Sequence, residues 1–347
     1  MKEKIRAVGL ISGGLDSTLA AMVMKDAGVD VYGVNFSTGF CIVDHRRAVR
    51  RKKDSDPKKL RNEALRAASD VEIPIEIIDI SKEFLEIVLQ PKHGYGSNIN
   101  PCIDCRIFML KKAKEHADRI GAKFVFTGEV LGQRPMSQHR SALMLIENQS
   151  GLEGYIVRPL SAKLLEPTVP EKEGWVERDK LYSINGRSRK EQFELCKRFG
   201  LEDFPQPSGG CCYLTDPNYA RRFRDMIAHR EKGKVTCDDL ILLKVGRHFR
   251  LSYRLKAIIG RDEQENRFLE RYRKGRLCFE ALNCGSPLTI VEGEADAGER
   301  RVLAALTARY SSARGQETID VRCMKDGLEE VITITAAEIK DFSESKL

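Results

Sequence analysis

The stretch that most constrains this chain is residues 6–28, "RAVGLISGGLDSTLAAMVMKDAG". An apolar run stops at Ser12-Gly13-Gly14, and after Asp16-Ser17 apolar residues return at helical spacing up to Gly28. The order is buried strand, glycine turn, helix, which is how an α/β unit begins. Glycines at such a turn let backbone N–H groups approach an oxyanion, and the helix N-terminus adds its dipole. Ser12 and Ser17 can add hydroxyl donors. Helix capping by Asp16 or Ser17 would account for one of these side chains, but not for the whole Ser-Gly-Gly-x-Asp-Ser string. The segment has neither the GxxxxGK[ST] of the common phosphate loop nor the GxGxxG of dinucleotide sites.

The pattern continues for about 130 residues. "VDVYGVNFS", "IPIEIIDI" and "AKFVFTG" read as further strands. A helix ending near Ser69, a short one at "KEFLEIVLQ" and a longer one at "CRIFMLKKAKEHADRIG" lie between them. This alternation predicts an α/β fold with a doubly wound, mostly parallel sheet. Right-handed crossovers then put the strands' carboxyl ends, and the glycine turn, along one edge. Residues 1–160 are expected to form this domain. Residues 161–232 read as a helical segment with "SRKEQFELCKRFG" and "DPNYARRFRDMIAHREKG". Residues 233–347 read as a small α+β domain of short strands, with one clear helix at "ADAGERRVLAALTARYS".

The composition of the 347 residues, 41% hydrophobic and 32% charged, is that of a water-soluble globular protein. No apolar run is long enough for a membrane span, and the opening residues carry no signal-peptide core, so a cytoplasmic protein with no membrane partner is expected. The net charge of +8 favours a polyanionic partner. Ten cysteines in a chain of this length do not make a secreted disulfide framework.

Two cysteine motifs stand out. "NPCIDC" places Cys102 and Cys105 in a C-x-x-C at the start of a helix, where the dipole lowers a thiol pKa. "PSGGCCYLT" places Cys211 and Cys212 after a glycine pair. Inert thiols, a structural zinc site, and an iron–sulfur cluster held by Cys102, Cys105 and one of the later pair are the three readings.

The Ser-Gly-Gly-x-Asp-Ser string resembles the pyrophosphate loop of the N-type ATP pyrophosphatases. That resemblance implies ATP cleavage to AMP and pyrophosphate, with Ser12, Gly13, Gly14 and Ser17 on the pyrophosphate. Asp16 is a carboxylate in an anion site, which Mg²⁺ on the phosphates would reconcile. "NPCIDCR" is similar to the Asn-Pro-x-x-x-Cys segment of bacterial tRNA 2-thiouridylases. "GGCCYLT" resembles their Gly-x-Cys-Phe-Ile segment, which selects Cys212 over Cys211. "TGEVLGQRPMSQ" (127–138) resembles a loop of the tRNA 4-thiouridine synthases, and brings Gly128 into the implied ATP site.

The resemblance implies a tRNA sulfurtransferase with catalytic Asp16, Cys105 and Cys212, and a sulfur donor that is sulfide or a cysteine-desulfurase-derived persulfide. Cys102 stands where the 2-thiouridylases have Asp. A C-x-x-C with one remote Cys is the pattern of cluster-dependent members, so a [4Fe-4S] site on Cys102, Cys105 and Cys212 is expected, with Zn²⁺ as the alternative. A small-molecule ligase of the 7-deazaguanine type with a zinc site, and a non-catalytic RNA-binding protein, are the rival readings.

Arg46, Arg47, Arg50, Arg51, Lys52 and Lys53 lie in a basic run after the second strand and are candidates for tRNA phosphate contact. Near residue 250, Arg247, Arg250 and Arg254 alternate with Phe249 and Tyr253, a pattern suited to a backbone groove with stacking positions. This tail resembles the small RNA-binding domain of the NFACT family.

Overall fold

The computed structural model describes residues 4–42, 61–205 and 212–347, which fall into two compact units with the boundary at residues 211 and 212. The first unit runs β1 (Arg6–Leu10), α1 (Leu15–Asp26), β2 (Asp30–Ser37), α2 (Glu63–Val71), β3 (Ile75–Asp79), α3 (Ser81–Leu89), α4 (Cys102–Ile120), β4 (Phe124–Thr127), α5 (Arg140–Ser150), β5 (Ile156–Val157), α6 (Val169–Lys172) and α7 (Lys190–Phe199). Its five strands pair in parallel in the order β3-β2-β1-β4-β5. The chain winds one way from β1 and then the other, so the switch point lies between β1 and β4. Ligands of such sheets bind there, outside the carboxyl ends.

Both faces of the sheet are covered, as a parallel sheet requires. Ala7, Phe124 and Phe126 pack with Leu19 and Met24 of α1 and Leu195 of α7 on one face. Val8 and Val125 pack with Leu110 of α4 and Ile146 of α5 on the other. The glycine turn and the C-x-x-C helix therefore belong to opposite faces and meet at one edge. Gly9 permits the closest approach in the sheet: a β-carbon there would stand 2.2 Å from Cζ of Phe126.

The helix α5 was not legible in the sequence. Its cap is His139, whose Nδ1 accepts the Ala142 N–H at 3.2 Å. Histidine is outside the usual capping set, so the start carried no recognisable signal.

The second unit runs α8 (Pro217–His229), α9 (Cys237–Leu242), β6 (Arg247–Arg250), β7 (Lys256–Ile259), α10 (Glu263–Leu269), β8 (Cys278–Ala281), β9 (Thr289–Glu292), α11 (Ala297–Arg309), β10 (Thr318–Lys325) and β11 (Leu328–Thr335). Its six strands form an antiparallel sheet in the order β11-β10-β8-β9-β7-β6. Leu303, Ala304 and Leu306 of α11 pack with Phe249, Phe279 and Val321 on one face, while Phe268 and Leu269 of α10 pack with Ile258 and Ile290 on the other. Asp296 and Glu299 close a capping box at the start of α11.

Phe249 corrects the sequence reading, because its ring is fully buried in this core and is no stacking position. A polar cluster is buried beside it. Asp225 of α8 accepts two hydrogen bonds from Arg250, at 2.9 and 2.7 Å, and stands 3.7 Å from the Lys256 ammonium. Burial pushes the Asp225 carboxyl up, but the Arg250 hydrogen bonds and the surrounding cations outweigh it and hold it below the ordinary value. The helix α8 is thereby pinned to β6 and β7.

Candidate active site

The chain leaves β1 and turns at Ser12-Gly13-Gly14, at the switch point. Gly13 has φ +80°, and a β-carbon on it would lie 2.2 Å from the Glu63 carbonyl carbon at the start of α2. Only glycine fits. The cap of α1 is Gly14, which has no side-chain capping bond. Asp16 and Ser17 fall in the first turn instead, so the capping explanation of these residues does not hold. The Ser17 and Thr18 hydroxyls donate to the Gly14 carbonyl, at 2.9 and 3.0 Å. The Ser12 and Ser17 oxygens are 3.1 Å apart. The result is a helix start uncapped by any side chain, flanked by two hydroxyls, which is suited to an anion.

Gly128, just past β4, lies directly on this turn. A β-carbon there would be 2.5 Å from the Asp16 carbonyl carbon and 2.5 Å from the Ser17 nitrogen. The structure thus brings Ser12, Gly13, Gly14, Asp16, Ser17 and Gly128 into one place.

Burial raises the pKa of the Asp16 carboxyl. The charge of Arg189, hydrogen bonding from Gln133 and Gln192, and the charge of Arg134 oppose that shift. The Gln192 Nε2 lies 3.4 Å from Asp16 Oδ1. Sequence reasoning named none of these four neighbours. Gln133 and Arg134 lie inside the "TGEVLGQRPMSQ" loop, but Arg189 and Gln192 come from α7 and its approach, where no spacing announces them.

Cys102 and Cys105 occupy the first turn of α4, one turn apart. A β-carbon on Gly96 would sit 3.1 Å from the Cys102 sulfur, so the preceding loop closes over that thiol. Asp104, buried between the two cysteines, accepts from the His93 N–H at 2.9 Å and contacts its Nδ1 at 2.9 Å. Here the expected helix effect loses: burial pushes the Cys102 thiol up, against the smaller opposing influence of its hydrogen bond and of Arg106 and Arg134.

The two clusters are linked through Glu129, which follows Gly128. Glu129 is buried, with Arg158 at 3.2 Å on one oxygen and Arg106 of α4 at 3.7 Å from the other.

Cys212 belongs to the second unit. It precedes a short turn over Tyr213–Thr215, and its carbonyl accepts from the Thr215 hydroxyl at 2.8 Å. Cys211 and the basic residues Arg46, Arg47, Arg50, Arg51, Lys52 and Lys53 lie outside the described residues. Arg247 stacks over the Tyr310 ring at 4.8 Å and Arg250 is held by Asp225, whereas Arg254 is exposed. Among the described residues no three or more His, Cys, Asp or Glu side chains are grouped to hold a metal ion. Among them, too, no helix is long and apolar enough to cross a membrane.

Fold and site define a pyrophosphate-loop α/β unit joined to an antiparallel α+β unit. Residues 5–169 match the family described as tRNA methyl transferase HUP domain, and residues 246–345 match the NFACT protein RNA binding domain. The first unit is similar to pyrophosphate-loop tRNA thiolation proteins. It is similar to the tRNA-specific 2-thiouridylase MnmA of Petrotoga mobilis, 27% identical over 250 residues, which cover 69% of this chain and 63% of that protein. The Listeria monocytogenes protein of the same name is 24% identical over 254 residues, 72% of this chain and 62% of its own length. The chain thus spans a little under two thirds of these curated relatives. Among solved structures, a 4-thiouridine synthetase–RNA complex with bound ATP aligns at 19% identity over 56% of this chain and 51% of its own, with a TM-score of 0.33.

Proposed function

We propose that this chain is an ATP-dependent tRNA sulfurtransferase, which adenylates a carbonyl oxygen of a uridine base and replaces that oxygen with sulfur. The observation that carries the reading is the uncapped start of α1 with Ser12 and Ser17 beside it and Gly128 pressed on its backbone. In this reading the uracil oxygen attacks the α-phosphorus and pyrophosphate leaves into the donors of that turn. Asp16 fits a magnesium ion held mainly by phosphate oxygens, since a nearby cation would offset the burial that raises its carboxyl pKa. Arg134 and Arg189 add positive charge on the same side. A sulfur nucleophile then adds at the activated carbon, and the C–O bond breaks with AMP as leaving group.

The sulfur step has two readings, both on the same thiols. In the first, Cys102, Cys105 and Cys212 hold a [4Fe-4S] cluster, which when bound would supply a site for sulfide. The donor chemistry of a C-x-x-C pair one turn apart, with a third remote thiol, supports it. In the second, a persulfide on Cys212 attacks, and Cys105 or Cys102 then breaks the S–S bond, leaving a disulfide for a thiol reductant to reopen. Nucleoside mass spectrometry of tRNA from cells with and without the gene tests the function. A thiouridine that disappears with the gene supports it, and an unchanged nucleoside profile overturns it.

A further inference from the structure

We infer that Tyr253, seated on His229, is a stacking post for one unpaired nucleobase of RNA. The inference deepens the proposed function and rests on its RNA-binding part. Tyr253 is 71% exposed, the most exposed aromatic ring among the described residues. It stands on the turn between β6 and β7, and that turn is firmly built. Leu251 and Ser252 N–H groups both donate to the Leu255 carbonyl, at 2.9 and 3.3 Å. A β-carbon on Gly293 would lie 2.1 Å from the Arg254 carbonyl oxygen, so β9 comes right up against the turn.

The ring has one fixed neighbour. The His229 imidazole lies 5.0 Å from it, centroid to centroid, at an interplanar angle of 56°. His229 is itself held, since its Nδ1 bonds the Asp225 carbonyl at 2.7 Å, and Asp225 is pinned by Arg250. The phenol ring therefore stands preordered with most of its surface in water. Burial does not explain an aromatic held there, but a stacked base does. Every base offers a π-face, and Arg254, next in the chain and exposed, supplies a cation for a neighbouring phosphate. Bases inside a duplex are already stacked on one another, so the post selects unpaired RNA.

The post also has a fixed place relative to Cys212. His229 ends α8, and the turn after Cys212 leads into the start of the same helix. Thirteen helical residues span about 20 Å. A nucleotide stacked on Tyr253 would be registered against that thiol through one pinned helix.

Fluorescence anisotropy of the full chain, with a labelled single-stranded oligoribonucleotide and the matching duplex, tests this. Tyr253→Ala should weaken single-strand binding about tenfold, the usual loss for one stacked base. Tyr253→Phe should retain affinity, and duplex binding should be unchanged by either variant. Single-strand affinity unaltered by Tyr253→Ala, or an equal loss for both RNAs, would overturn the post. RNA-independent pyrophosphate exchange and thiouridine formation, measured in parallel, report on the sulfurtransferase reading separately. Loss of single-strand affinity in Tyr253→Ala supports the post even in a protein that makes no thiouridine.

Discussion

Arg106 of α4 stands 3.7 Å from Glu129, Nε to Oε1, and so ties the cysteine helix to the loop that rests on the nucleotide turn. The same carboxylate holds Arg158 at 3.2 Å, and Arg158 reaches Glu147 of α5 at 2.8 Å. This row of charges, with Glu129 and Arg158 buried at its centre, ties α4 and α5 to the loop after β4. A short path of backbone and side chain, from Ser17 through Gly128 and Glu129 to Arg106, therefore connects the turn proposed to hold ATP with the helix that carries the cysteines proposed to handle sulfur.

Removing Glu129 should be costly for the fold. Glu129→Ala leaves Arg158 buried with only Glu147, and breaking a buried pair this way costs about 3–5 kcal/mol. Arg106 is less buried, so Arg106→Ala should cost no more than about 1 kcal/mol. It should nevertheless lower thiouridine formation while pyrophosphate release stays intact. Denaturant unfolding and the two activity assays measure all three quantities. Normal thiolation in Arg106→Ala would show that the tie has no functional consequence.

Asp16 should trade stability for activity. Its folded carboxyl has a raised pKa, so the folded chain binds that proton more tightly than the unfolded chain. The stability linked to this group is present at low pH and lost as pH rises past the ordinary aspartate value and through the raised one. Asp16→Asn should remove that loss and melt no lower than the parent at neutral pH. It should also abolish pyrophosphate release, as should Ser17→Ala. Normal AMP formation in both variants would remove the basis of the ATP assignment.

Gly128→Ala tests the contact between β4 and the turn. The added carbon would meet backbone atoms of Asp16 and Ser17 at 2.5 Å, and no side-chain rotation can relieve that. ATP affinity by calorimetry should drop at least about tenfold, a 1.4 kcal/mol change. An unchanged affinity would mean that the turn can shift without harm to the site.

Much of this arrangement was legible because local chemistry announces it. The glycine turn, the parallel strands and the C-x-x-C helix start each have a short-range signature. Arg134, Arg189, Gln192 and Arg106 had none, since they reach the site from separate segments that only the fold brings together. Phe249 misled because alternation in a strand says which residues share a face, and not which face meets water. Cys102 misled differently, because the helix-start effect is visible in sequence and the closing loop around Gly96 is not.

Arg250 and Arg254 were equivalent by sequence and should now behave differently. Arg250→Ala leaves Asp225 without its bidentate partner, so it should lower the melting temperature of the second unit. Arg254→Ala should leave melting unchanged, weaken RNA binding and reduce the salt slope of log K by about one. Equal effects of the two substitutions on melting would contradict the placement of Arg250.

The cysteines allow the sharpest test, because the two sulfur readings differ in colour, metal content and residue dependence. In the cluster reading, anaerobically purified protein is brown and holds iron and sulfide near one four-iron cluster. Ala at Cys102, Cys105 or Cys212 should each bleach it, since one of three ligands is lost. Each variant should still release pyrophosphate, because the nucleotide turn is built from other residues, but none should form thiouridine. Cys211→Ala should be milder, since the resemblance selects Cys212 and not Cys211 as the ligand. In the persulfide reading the protein is colourless. Cys212→Ala abolishes thiolation, and so does Ala at whichever of Cys105 and Cys102 breaks the S–S bond, while the other variant retains a good part of it. Stoichiometric zinc without iron would overturn the cluster reading, and full thiolation by the Cys212→Ala variant would overturn both.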